Sequence, residues 1–100
     1  MNKTNQFVKK LVSNNPSLES IHTEHIKDYD KLLPYVFFGD LTRYIDHNFE
    51  SHQDSVKKIL SSLNRGLHNE SEDVKELITV SFLENIGISV KLFLLLTNHF

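Results

Sequence analysis

Apolar residues recur along this chain at helical rather than strand spacing. Phe7, Val8, Leu11 and Val12 lie three and four apart between Thr4 and the break at Asn14-Asn15-Pro16, the pattern of an amphipathic helix. Asn15 followed by Pro16 reads as an N-cap with proline at the first helical position, where its missing N–H costs nothing. Leu18, Ile21, His25 and Tyr29 then form a second stripe, expected to end near Asp28 to Asp30. Pro34 opens a third element, because its ring fixes φ for a first turn and pushes Leu33 out of helical space.

Over residues 36 to 49 the wheel divides into two sides. Phe38, Leu41, Ile45, Asn48 and Phe49 share one, with Phe37 and Tyr44 at its edge, and Asp40, Arg43, Asp46 and His47 share the other. Ser51 with Asp54 resembles a capping box ahead of Val56, Ile59, Leu60 and Leu63, and Gly66 is placed to end that helix as a left-handed residue. Asn69 with Glu72 suggests another capping box, for a helix reaching about Ile86 and stopped by Gly87. The final run, ISVKLFLLLTNHF, is apolar nearly all round. Val90, Phe93, Leu94 and Thr97 fit one helical face, and no other segment offers it a strand partner, so a helix is expected. The predicted fold is all-α, a single-domain bundle of five or six helices over residues 1–100.

Composition narrows the function. One hundred residues suffice for one modest core. The formal charge of −2 argues against a general nucleic-acid binder, which needs a basic surface. Cysteine is absent, so disulfides, thiolate metal sites and cysteine nucleophiles are excluded, in keeping with a reducing, cytoplasmic setting. The start, MNKTNQFVKKLVSNN, lacks the apolar run of a signal peptide. The run from Ile86 to Leu96 is shorter than the ~20 residues of a membrane span. No cofactor and no membrane partner are expected.

The reactive residue types yield little chemistry. Arg43 lies three residues from both Asp40 and Asp46, which predicts ion pairing on a helix face; an Asp40/His47 hydrolase lacks any second constellation. His22-Thr-Glu-His25 spaces its histidines three apart rather than four, so the zinc-protease pattern is not met and no metal is expected. Glu84, placed between Leu77 and Val80 on an apolar wheel, calls for a salt bridge, with Arg43 a candidate partner. Asn85, on the same helix's apolar stripe, calls for hydrogen-bond partners. Acid is unevenly spread, with Asp40, Asp46, Glu50 and Asp54 against Arg43 in one stretch, and Glu70, Glu72, Asp73 and Glu76 against Lys75 in another. Should the two helix starts lie on one side, they would form an anionic patch suited to a basic partner.

Two blocks, LLPYVFFGDLTRYIDHNF (Leu32 to Phe49) and DVKELITVSFLENIG (Asp73 to Gly87), resemble a group of small bacterial domains with a Leu-Pro, Val-Phe, Gly-Asp, Thr-Arg core and a later Ser-Phe-Leu-Glu-Asn block. Many of these look like immunity proteins of polymorphic toxin systems, including contact-dependent growth inhibition. The matching residues are Asp40, Thr42, Arg43, Ser81, Glu84 and Asn85. The resemblance implies a cytosolic, non-catalytic antidote that occludes the active site of one cognate toxin domain, a basic nuclease being the expected target. On that reading Asp46, Glu50, Asp54, Glu72, Asp73 and Glu76 face the toxin, while Asp40, Arg43, Glu84 and Asn85 hold the fold. The competing expectation is an interaction module, homodimeric through the apolar segment from Ile88 to Phe100.

Overall fold

The computed structural model describes residues 2–97, without the side chains at positions 93 and 95–97. Its helices are α1 (Lys3–Asn14), α2 (Glu19–Tyr29), α3 (Pro34–Asn48), α4 (Gln53–Asn69), α5 (Glu72–Ile78) and α6 (Ile88–Thr97). A 3-10 turn, Pro16–Leu18, precedes α2, and a π turn, Thr79–Leu83, follows α5. Six helices and no strand among the described residues make this an all-α bundle. The ambiguous last segment is helical over residues 88–97; the Phe93 and Thr97 side chains placed on its face, and residues 98–100, fall outside the described residues.

Each helix turns its apolar stripe to one shared core. Phe7, Val8 and Leu11 of α1 meet Val56, Ile59, Leu60 and Leu63 of α4, Val74, Leu77 and Ile78 of α5, and Phe82 of the π turn. The centre is α3, which buries Phe37, Phe38, Leu41, Thr42 and Ile45 and packs on α1, α2, α4, α5 and the π turn. Val90 and Leu94 seat α6 on the same core. The helix α2 ends where expected, with Asp30 in left-handed conformation (φ 61°) and its N–H bonded to the Ile26 carbonyl at 2.8 Å. Aspartate tolerates that region better than most side chains.

Several local expectations give way to tertiary contacts. As expected, Asn15 stands at an N-cap with Pro16 following, but it is the N-cap of the short 3-10 turn and has no side-chain cap bond. It is buried, and its amide instead donates to the Leu11 carbonyl at 2.9 Å, satisfying an open carbonyl of α1, and reaches Ser62 Oγ at 3.4 Å. The Ser51–Asp54 box is absent: His52 stands at the N-cap of α4 without a side-chain cap bond, and Ser51 Oγ lies 2.9 Å from His52 Nδ1. Gly66 does not terminate a helix but lies inside α4, which continues to Asn69. A Cβ there would sit 2.8 Å from the Phe7 ring and from Ile78 Cδ1. Gly66 therefore leaves the space that Phe7 of α1 and Ile78 of α5 fill against α4. Asn69 consequently ends α4 rather than capping α5, whose N-cap is Ser71.

The π turn rearranges the end of the long predicted helix. Its wide turns, seen in the bond from Glu84 N–H to the Thr79 carbonyl at 3.2 Å, advance the wheel less per residue than an α-helix does. Glu84 is carried out to solvent, and Val80, its supposed apolar neighbour, is itself 43% exposed. No ion pair to Glu84 occurs among the described residues. Asn85 is also exposed rather than on an apolar stripe, yet it finds the kind of partner expected, donating to the Val80 carbonyl at 2.8 Å.

Candidate protein-binding surface

The two sequence blocks meet across the seam between α3 and the π turn. Thr42 Oγ1 donates to the Phe38 carbonyl at 2.7 Å and lies 3.1 Å from the Ser81 carbonyl. Its hydroxyl thus answers backbone polarity that a π turn leaves open. Thr42 and Ser81 are both buried, so these matching residues hold structure. A second buried polar anchor lies at the start of α3, where His25 Nε2 accepts the Leu33 N–H at 2.9 Å. The His25 ring packs on Tyr29 and edge-on to Phe37. Both histidines of the HTEH motif are packing residues, His25 in the core and the half-buried His22 also edge-on to Phe37, and no three potential metal ligands converge among the described residues.

Asp46 has a structural bond as well as an exposed position. Both carboxylate oxygens accept the Gly87 N–H, at 3.0 and 3.2 Å. Gly87 immediately precedes α6, so the negative group stands at that helix's positive end. Asp40 pairs with Arg43 one turn along α3, as predicted. Glu50 shares a groove with Asp46 at the exit of α3, and Asp54 lies in the first turn of α4. Glu72, Asp73 and Glu76 do not join them. They follow the other end of α4, and the 17 residues of that helix span about 25 Å at 1.5 Å per residue. The anionic patch drawn from both helix starts is therefore two separate groups.

A different acidic surface emerges, centred on the outer side of α3. Between α2 and α3 runs a groove of about 440 Å³ whose lining includes Ile21, Glu24, Asp28, Asp40, Tyr44 and His47. Between α3 and the π turn is another, of about 380 Å³, with Tyr35, Gly39, Arg43, Asp46, Val80 and Asn85. A third, between the end of α3 and the start of α6, carries Asp46, His47, Glu50 and Ile88. The three are lined by the carboxylates of Glu24, Asp28, Asp40, Asp46 and Glu50 and by one strong cation, Arg43, with Lys27 beside Glu24 in a further groove along α2. Lys10 and Arg65 sit together elsewhere, beside the α1–α4 crossing. Sequence reasoning missed Glu24 and Asp28, although their four-residue spacing places both on one side of α2.

Apolar groups accompany the acids. Tyr35 and Val36 at the start of α3 are 48% and 40% exposed, and Val80 stands across the groove from Tyr35. Open grooves with half-exposed aromatic and aliphatic side chains among charges suit a protein partner better than an enclosed small ligand.

Fold and surface together define a small all-α domain whose central helix has an acidic, partly apolar exposed side. The chain belongs to the family described as Domain of unknown function (DUF7674), whose family model matches residues 8–93. No curated protein and no solved structure matches it. No helix among the described residues is long and apolar enough to cross a membrane.

Proposed function

We propose that this chain is a bacterial immunity protein, which neutralises a cognate toxin domain by binding it stoichiometrically and covering its active site. The observation that carries this reading is the surface over α3, where five carboxylates oppose one arginine beside exposed Tyr35 and Val36. Such a surface steers a basic protein such as a nuclease toward it and supplies apolar contacts once the two have met. The resemblance of the two sequence blocks to immunity domains selects a toxin as that basic protein. Binding occurs in the cytoplasm and needs neither cofactor nor catalytic step. Asp46 and Glu50 belong to the partner-facing surface, joined by Glu24, Asp28 and Asp40, whereas Glu72, Asp73 and Glu76 lie away from it. The test is co-expression with the toxin-like domain encoded beside the gene, scoring survival and complex formation. Survival without a complex rejects direct occlusion.

A specific observation favours a second reading, a homodimeric interaction module. On α6, Ile88 and Leu92 are 71% and 51% exposed and four residues apart, forming an outward apolar stripe. Sedimentation separates the readings. A dimer dispersed by Ile88→Glu and Leu92→Glu, with no toxin partner, replaces the immunity reading.

A further inference from the structure

Gly39 lies in the middle of the acidic surface, inside α3, where glycine is less favourable than alanine because its backbone loses more freedom on folding. The chain's own packing gives no reason for it. Its backbone is helical, without positive φ, and an added Cβ would meet only Arg43 Nη1, at an ordinary 3.9 Å. Gly66 offers the contrast, since there a Cβ would strike Phe7 and Ile78 at 2.8 Å. One helical glycine serves the core. The other faces a groove between two half-exposed hydrophobic side chains, with Tyr35 one turn before it and Val80 across from it.

We propose that Gly39 is the point of closest approach for a basic partner protein. A partner segment lies in the groove between α3 and the π turn, seats an apolar side chain between Tyr35 and Val80, and brings its backbone against the bare face of Gly39. Lysine or arginine side chains flanking that segment meet Asp46, which lines the groove, and Asp40, which lines the neighbouring groove and pairs with Arg43 between them. A missing side chain lets two backbones approach closely, while a tyrosine beside it supplies the rigid contact area common at binding hot spots. The inference rests on the reading of this surface as the binding face for a basic toxin domain, and it names the groove, occupant and critical residue.

The experiment compares the wild-type chain with Gly39→Ala, Gly39→Leu and Tyr35→Ser, measuring thermal unfolding, sedimentation, and affinity for the toxin-like domain encoded beside the gene. Gly39→Ala is expected to raise Tm by roughly 2–8 °C, since the monomer gains a helix former and loses no contact. Gly39→Leu and Tyr35→Ser are expected to weaken toxin binding by about tenfold or more while remaining folded. A Tm lowered by Gly39→Ala overturns the inference, because the glycine would then serve the fold. Unchanged toxin affinity in Gly39→Leu overturns it while leaving the immunity reading intact. A wild-type chain that binds no toxin overturns both. Wild-type self-association abolished by Gly39→Leu makes a second copy the occupant, which also overturns the inference as stated.

Discussion

At Gly66 the distances leave no room for even one carbon. Gly66→Ala is expected to destabilise the chain by about 1–3 kcal/mol, the usual cost of overpacking a well-filled core, measured by urea denaturation. Opposite effects from the same glycine-to-alanine change at positions 66 and 39 would separate a glycine required by the core from one it does not require. His25 makes a different residue-scale contribution. His25→Leu keeps the volume roughly but leaves the Leu33 N–H without its acceptor at the start of α3, at a cost of about 1–3 kcal/mol. A variant as stable as the wild type would show that water or another group replaces the ring nitrogen. Thr42→Val removes one hydroxyl from two carbonyls of separate elements, and about 1–2 kcal/mol is expected on the same ground.

At the scale of elements, the bond from Asp46 to Gly87 N–H ties the end of α3 to the start of α6. Asp46→Ala removes that acceptor and the negative charge at the α6 N-terminus, worth up to about 1 kcal/mol of local stability. Hydrogen exchange is expected to quicken first at amides 88–92, while α4 keeps its protection. Asp46→Asn retains an acceptor oxygen, so its amides are expected to stay closer to wild type. Uniformly faster exchange throughout the chain would instead mean that α6 is not a separable unit. The π turn matters at this scale too. By widening the backbone after Ile78 it places Ser81 and Phe82 inward, sends Val80 and Glu84 outward, and forms one wall of the groove beside α3.

For the molecule as a whole, charge is divided between regions. The acidic grooves surround α3, and Glu72, Asp73 and Glu76 stand beyond the far end of α4. Reversing Glu24, Asp28 and Glu50 to lysine is expected to slow association with a basic toxin domain by about tenfold at low salt, with the difference shrinking as salt screens it. Reversing Glu72, Asp73 and Glu76 is expected to change that rate much less. Stopped-flow association at two ionic strengths checks both. Equal slowing by the two triple variants would point to net charge rather than a local docking face.

The spacing of Phe7, Val8 and Leu11, of Phe38, Leu41 and Ile45, and of Val56, Ile59, Leu60 and Leu63 determined the helices and their inward faces, because burying a 3.6-residue stripe is a local demand that any neighbouring core can meet. The Asp40–Arg43 pair was equally legible, since both partners lie on one helix turn. Capping roles at Ser51 and Asn69, and the bond made by the Asn15 side chain at its N-cap position, were not legible, because a side chain that can cap a helix can also bond an earlier carbonyl, a neighbouring ring or nothing, and packing chooses among these. Gly66 shows the same limit: sequence marks a glycine but not whether it ends a helix or admits a phenyl ring. The acidic surface required the fold, for Glu24 and Asp28 come from one helix and Asp40, Asp46 and Glu50 from α3 and its exit. Only the packing of α2, the π turn and α6 around α3 brings those charges to one side, because charge complementarity depends on distance through space and not along the chain.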